Sequence, residues 1–535
     1  MANKYDESKI ETLSKRLGVP KDFVESSLSI RYAESMIEKL EGFEREKDII
    51  TAGDSKSVER HHKEGKLTAR ERIAKLVDPG SFEELELWQK PYETGFDIGE
   101  ETGQGDGVSS GYGSIDKKPV TIWAQDATVM GGTVGTVHAR KIAMMMEAAL
   151  DNRTPIIGMF DSEGVRAHDA IQFPDFYSPS IMAYFQTLSS GVIPKISLVM
   201  GKCIGEMALI AGLGDFVFMV KNTSDMHITR SSSKVDESLQ ANVGSCDIIA
   251  DDDEDCLIKC KELLSYLPSN NTEAPPFIDT GDDPDRREEE LLHIVPANSR
   301  KAFNMRNVIN LIVDNGVFFE IRKQFARNLI TGFTRLGGYS VGIIASNPQF
   351  LGGCMNLDAA DKMSRFVRFC DAFNLPLIWL ADTPAFLPSI DEETRGLIRH
   401  GSRMIMANSE ATVPRITVSL RKHFGGGRLA MPGSSLASDV AVGWPTFEPG
   451  LMGAKGAVSI LYRKELKAIS DEQLREEQEN KRIEEMQFSL DMHMREGAQK
   501  IIDPRETRPF LIRALSWLKN REQKLPEKKH ENIRL

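Results

Sequence analysis

Two short stretches of this 535-residue chain pair an apolar run with glycines and then a helix-like apolar pattern. In the first, residues 196–200 run into Gly201-Lys-Cys-Ile-Gly205-Glu206-Met207; in the second, residues 416–420 run into Arg421-Lys-His-Phe-Gly425-Gly426-Gly427. Glycine where a strand turns into a helix lets a ligand approach the backbone, and the first amides of the helix have no acceptor of their own. Two such N–H groups can hold a carbonyl oxygen that gains negative charge, which is an oxyanion hole. A tight turn that needs small residues is the simpler account of one glycine pair. The triple glycine at the equivalent place in the second stretch favours function.

Other chemistries lack residues. The sequence has no G-x-x-x-x-G-K-[ST] phosphate loop, no H-E-x-x-H zinc motif and no G-x-S-x-G elbow; Ser162 lies in Asp-Ser-Glu-Gly without that pattern. Gly103-Gln-Gly105-Asp-Gly107 looks like a nucleotide loop but no helix pattern follows, so it reads as a connector. Cys256 and Cys260 are four apart, yet no second ligand pair follows, and no metal site is expected. Among ten scattered histidines only His423 adjoins the glycines, and a structural role suits it. By elimination the chemistry rests on backbone donors that stabilise an enolate or similar oxyanion.

The elements that position these stretches come twice. A shift of 221 residues lays Gly111 on Gly332, Val120, Ile122 and Ala124 on Val341, Ile343 and Ala345, and Gly131-Gly132 on Gly352-Gly353. It also lays Lys141 on Lys362, Pro155 on Pro376 and Asp161 on Asp382; a shift of 220 then lays Pro194 on Pro414. A period this long means a duplicated domain rather than a solenoid. Each copy reads as strand (120–123, 341–344), glycine turn, helix (139–150, 360–373) and buried strand (156–160, 377–381). That order predicts an α/β fold of two similar domains joined through βαβ units. Residues 268–285, dense in Pro, Asn and Asp, read as the linker. The expected division is therefore a charged helical arm (1–55), a first domain (56–285) and a second domain (286–535), with a charged helix at 464–499.

With 67 Lys and Arg against 79 Asp and Glu, the net charge of −12 argues against a nucleic-acid or anionic-membrane binder. The most apolar run, 207–220, is broken by Gly212, Gly214 and Asp215 and falls short of the ~18 residues of a membrane helix. The acidic N-terminal stretch fits neither a secretory signal nor a transit peptide. Six cysteines are too few for a disulfide framework, so reduced thiols and a cytoplasmic location are expected.

From about residue 55 onward the sequence resembles the carboxyltransferase (β) subunits of biotin-dependent acyl-CoA carboxylases and the related decarboxylase and transcarboxylase subunits. The resemblance is carried by Glu64-Gly-Lys-Leu-Thr-Ala-Arg-Glu-Arg-Ile73, by Arg365-Phe-Val-Arg-Phe-Cys-Asp-Ala-Phe-Asn-Leu-Pro-Leu377, and by Phe386-Leu-Pro388, Ile398-Arg-His-Gly401 and Met452-Gly-Ala-Lys-Gly-Ala-Val458. It implies two crotonase-like domains, a homohexamer, and active sites between the first domain of one subunit and the second domain of another. The first domain would bind acyl-CoA, and the second would receive carboxybiotin on a separate carrier. Gly205 and Glu206 would serve the thioester oxygen, and Gly426 and Gly427 the ureido oxygen of biotin. The chain has neither a biotinyl-lysine context of the A-M-K-M type nor an ATP-binding loop. Any biotin must therefore arrive on another polypeptide, and the resemblance implies biotin carboxyl carrier and biotin carboxylase subunits as partners.

Three departures from the family pattern stand out. Family members usually read Gly-Gly where this chain has Gly205-Glu206, and the internal repeat agrees, because position 206 falls on Gly426. Glu206 is then either an acid/base that redirects the reaction or a side chain turned into the helix interface and paired with a cation. Ser162-Glu163-Gly164-Val165-Arg166 replaces the common Ser-Gly-Gly-Ala-Arg, so a rebuilt acyl pocket involving Ser162, Gly164 and Arg166 is expected. Arg428-Leu429 replaces Tyr-Asp at a position linked to acyl-chain choice, where Arg428 would pair with a substrate carboxylate or a neighbouring acid. Two other functions compete with carboxyl transfer: a biotin-independent crotonase-type decarboxylase or hydratase using Glu206, and a scaffold subunit without catalysis.

Overall fold

The structure is a computed structural model that describes residues 7–17, 19–92, 103–173, 179–229, 234–299, 301–433, 438–493, 497–530 and 532. Residues 1–6 of the expected arm and 494–496 of the expected late helix lie outside the described residues. The chain divides into two units, Met1–Leu264 and Ser265–Leu535.

Each unit carries one eight-stranded sheet. The first holds β1 (Glu83–Leu85), β2 (Val108–Ile115), β3 (Lys118–Gln125), β4 (Ile156–Ser162), β5 (Lys195–Ile204), β6 (Phe216–Val220), β7 (Asp225–His227) and β8 (Ile248–Ala250). The second holds β9 (Phe318–Ile321), β10 (Leu329–Leu336), β11 (Tyr339–Ser346), β12 (Leu377–Thr383), β13 (Arg415–Phe424), β14 (Val440–Gly443), β15 (Glu448–Gly450) and β16 (Lys500–Ile501). The order is β1-β2-β3-β4-β5-β6-β8 with β7 on β5, and it repeats as β9-β10-β11-β12-β13-β14-β16 with β15 on β13. In both sheets the first three strands are antiparallel and the rest parallel. The α/β architecture and the duplication expected from the sequence are both present.

The two copies conserve devices while exchanging residues. Lys141, on the Thr136–Asn152 helix, donates to the Gly105 and Val108 carbonyls; Lys362, on the Leu357–Ala372 helix, donates to those of Arg322, Phe325 and Leu329. Each buried ammonium ties the helix to the entry of the second strand. Trp123 on β3 faces Gly158 on β4, where a Cβ would sit 2.7 Å from the indole Cε2. In the second sheet the same register pair is Ile344 and Trp379. The indole has moved to the neighbouring strand, and the residue opposite it has changed from Gly158 to Ile344.

The 1–55 region is helical as the pattern suggested. Helices Glu7–Leu17 and Lys21–Arg31 bury Ile10, Val19 and Val24 against Leu13, Phe23 and Leu28, and Met36–Ala52 follows, its first turn capped by Ser35. The late charged helix is Glu472–His493. The boundary differs from expectation. Residues 265–285 form no free linker but belong to the second unit: Phe277 packs edge-on against Tyr339, the Ile278 amide donates to the Gly338 carbonyl, and Ser340 donates to the Pro276 carbonyl. A Pro-rich segment without regular structure can still pack as an extended strap, which composition alone does not distinguish from a linker.

Candidate active site

Both glycine stretches end at a residue with positive φ. Gly205 (φ 71°) precedes the helix Glu206–Gly212, and Gly425 (φ 44°) precedes the turn of helix Gly427–Ala430. A side chain would strain that backbone. The strands run further than their apolar cores suggested: β5 continues to Ile204 and β13 to Phe424, because β7 and β15 pair alongside their second halves. Gly201 is therefore inside a strand and not at the junction. It is required by packing, since a Cβ there would overlap the Asp161 carboxylate.

This geometry corrects one expected donor. The Gly205 amide donates to the His227 carbonyl at 2.9 Å, and the Gly425 amide donates to the Gly450 carbonyl at 3.0 Å. Both are spent on the flanking strand. The next two amides in each copy, Glu206 and Met207 in the first and Gly426 and Gly427 in the second, have no backbone acceptor among the described residues. The amides without a backbone acceptor are thus 206/207 and 426/427. Of the expected residues, Glu206, Gly426 and Gly427 carry such amides and Gly205 does not; Met207, which the sequence reading did not single out, carries one. The 220-residue shift, which lays Met207 on Gly427, was the available signal. The amides of Val165 and Phe386, one segment away in each copy, also take no backbone acceptor. Phe386 closes on the second pair: a Cβ on Gly426 would lie 2.8 Å from its ring, and one on Gly427 would strike Thr383.

Near the end of the fourth strand of each sheet lies a buried aspartate, and each copy neutralises it differently. Asp161 accepts from Arg72 (3.1 Å), whose guanidinium also bonds Asp253 and the Met200 carbonyl, and it lies 3.4 Å from His61 Nε2. Burial opposes its charge, yet the His61 hydrogen bond and the Arg72 and Lys66 cations hold its pKa down to about 2. Asp382 is paired with Arg421 on β13, whose guanidinium also bonds the carbonyls of Pro296, Asn298 and Lys301. In both copies the aspartate amide takes a side-chain acceptor from the third strand, Gln125 or Ser346.

Several expected ligand-binding side chains are structural. Arg166 is buried, 2.7 Å from Asp106 and hydrogen-bonded to both oxygens of Thr133, so its guanidinium ties down the 131–136 turn. Ser162 is buried and bonds the Gly164 amide; Gly164 (φ 97°) lies against the Ile204 carbonyl. Asp106, in the 103–107 segment read as a connector, also holds His138: its carboxylate accepts from the His138 amide and its carbonyl is 2.8 Å from Nδ1. His423 is buried, donating from Nε2 to the Met431 carbonyl and accepting at Nδ1 from Ser419; burial lowers its pKa to about 4, so it stays neutral. Arg428 is half-buried with no carboxylate in ion-pair range among the described residues, and Leu429 is exposed.

Glu206 fits neither half of its expected choice well. It opens its helix, is exposed, and among the described residues no cation or hydrogen-bond donor holds its carboxylate. Nearby, Glu163 and Lys202 form an ion pair of 2.7 Å, both about half exposed. Among the described residues no group of three or more His, Cys, Asp or Glu could hold a metal. Cys256 and Cys260 are buried, and burial pushes the Cys260 thiol up to about 12.

The carboxyl transferase domain family matches residues 60–533. This chain belongs to that family. It is 41% identical to the methylmalonyl-CoA decarboxylase subunit alpha of Veillonella parvula over 91% of this chain and 97% of that one. It is 39% identical to the propionyl-CoA carboxylase carboxyltransferase subunit of Haloferax mediterranei, over 92% and 98%. Among solved structures, the transcarboxylase 12S hexamer with methylmalonyl-coenzyme A and methylmalonic acid bound matches with a TM-score of 0.88 at 37% identity, over 94% and 99% of the two chains. The family membership accounts for the duplicated sheets, and the chain is a carboxyltransferase-type enzyme.

Proposed function

We propose that this chain is the carboxyltransferase subunit of an acyl-CoA carboxylase or decarboxylase, acting on a short acyl-CoA of the propionyl/methylmalonyl type. It would move a carboxyl group between biotin on a separate carrier and the α-carbon of the thioester. The observation that carries this reading is the paired geometry: two duplicated turns, each presenting two backbone amides without acceptors. Breaking the bond between the α-carbon and its carboxyl group leaves an electron pair that spreads onto the thioester oxygen. The Glu206 and Met207 amides hold that enolate oxygen, and such donors contribute about 3–4 kcal/mol each to similar reactions. Biotin supplies a ureido nitrogen that carries the carboxyl group and a ureido oxygen that gains charge when the nitrogen is free. The Gly426 and Gly427 amides fit that oxygen, and the exposed Leu429 and Leu451 beside them fit an apolar ring.

The biotin-independent alternative needs Glu206 as a positioned acid or base. A general base works only when geometry holds it against the proton it moves, and no group among the described residues holds this carboxylate. The scaffold alternative leaves both donor pairs without a role. We further propose a homohexamer, by likeness to the transcarboxylase 12S assembly, and partners that load biotin. We also propose a cytoplasmic setting, which all six cysteines as free thiols support. No helix among the described residues is long and apolar enough to cross a membrane.

The test is a mass-resolved acyl-CoA assay of the purified chain with malonyl-, methylmalonyl- and glutaconyl-type thioesters, with and without free biotin. Loss of CO₂ that requires biotin is expected. Turnover without biotin, or water addition, would replace this reading with a Glu206 mechanism. Silence on every thioester would leave the scaffold reading.

A further inference from the structure

In the four residues before the positive-φ glycine the two copies differ at three positions: Gly201 against Arg421, Cys203 against His423, and Ile204 against Phe424. The fourth is lysine in both, Lys202 and Lys422. A lysine kept at one register through such divergence invites a structural explanation, and the neighbouring strand offers one. Lys202 lies opposite Asp225 of β7, and Lys422 lies opposite Glu448 of β15. Neither pair is made. Asp225 accepts from the Val235 amide and stands 3.6 Å from His227 Nε2, while Glu448 is hydrogen-bonded by Ser299. The ammonium groups also have no common partner. Lys202 reaches Glu163 across the turn after β4, but the position matching Glu163 is Pro384, and Lys422 has no carboxylate within 4 Å among the described residues. What the two lysines share is their place, three residues ahead of a glycine whose following amides have no acceptor.

We propose that Lys202 and Lys422 are twin carboxylate receivers, each pairing with the migrating carboxyl group at its own end of the transfer. The inference rests on the acyl-CoA and biotin assignment above. A malonyl-type thioester and a carboxylated urea present the same pattern, a carboxylate one atom removed from a carbonyl carbon. Two amides for the oxygen, and one ammonium carried on the strand that leads into them, match both. The lysines stay protonated and make no covalent bond. They differ in availability: Glu163 competes for Lys202, so the first site releases its carboxylate more readily than the second.

The experiment measures equilibrium binding by the full-length protein. The ligands are methylmalonyl-CoA and propionyl-CoA, and separately biotin and its stable N-carboxymethyl derivative. Wild type is expected to prefer the carboxylated member of each pair. Lys202→Met should weaken methylmalonyl-CoA about tenfold relative to propionyl-CoA. Glu163→Gln should strengthen methylmalonyl-CoA a few-fold by freeing Lys202, a gain that a misfolded variant cannot give. Lys422→Met should erase the preference for N-carboxymethyl biotin. Unchanged preference ratios in the lysine variants, with wild type binding all four ligands, would overturn the receivers alone. If wild type binds neither thioester nor either biotin, the underlying assignment falls and this proposal with it.

Discussion

In the proposed thioester hole Glu206 donates through its amide, and its side chain stands exposed. The two contributions separate by mutation. Proline is well tolerated at the first position of a helix, where its missing N–H and fixed φ cost little, so Glu206→Pro should keep the fold while deleting one donor. The expected result is a loss of about 10²–10³ in kcat with an unchanged melting temperature. Glu206→Gly, which keeps the amide, should turn over at least as fast as wild type; a collapse of its turnover would make the carboxylate catalytic. Asp161 gives a second prediction. Its pKa falls from 3.8 in the unfolded chain to about 2 in the fold. The stabilisation is thus complete above pH ~4 and is lost as pH drops towards ~2. At about 1.4 kcal/mol per pKa unit this is worth roughly 2 kcal/mol. Melting curves from pH 6 to 2 should show Asp161→Asn clearly less stable at pH 6 and the gap closing below pH 4.

At the scale of elements the duplication explains both what the sequence disclosed and what it hid. Strands, helices and the two hole regions were legible because the 221-residue shift carries periodicity and glycines together, as Gly131-Gly132 on Gly352-Gly353 illustrates. The ends of β5 and β13 were not legible, since Gly201 and Arg421 look like turn residues until β7 and β15 are seen to pair beside them. The ion pair of Arg166 was hidden for a related reason: its partner Asp106 lies 60 residues away in a segment that reads as a connector. The exchanged indole makes this scale testable. Gly158→Ala places a methyl against the Trp123 ring and should cost about 1–3 kcal/mol by overpacking. Combining it with Trp123→Ile, which imitates the small partner of the second sheet, should recover part of that cost. Additive losses in denaturant melts of the single and double variants would mean that the two positions do not share one space.

For the whole molecule, the apolar surface demands cover. Ile390 is 83% exposed, Leu451 77% and Ile398 71%, and the Ile390–Arg395 and Leu397–Glu410 helices carry two of these three in the second unit. Exposed apolar residues scattered singly are normal, but large ones on successive helices, as Ile390 and Ile398 are, fit a contact with another chain. If the assembly is the proposed hexamer, light scattering should give a mass about six times the 59.7 kDa chain. A charge placed in that contact must then be desolvated without a partner. Ile398→Asp is expected to yield smaller species with the secondary structure intact by circular dichroism, and carboxyl transfer should fall together with the hexamer fraction. Both donor pairs lie within single chains, so their backbone geometry survives dissociation. If the active site is shared between subunits, activity will follow assembly when the variant is titrated with concentration. If each chain is complete alone, the small species will keep the wild-type rate and the assembly will have no part in the chemistry.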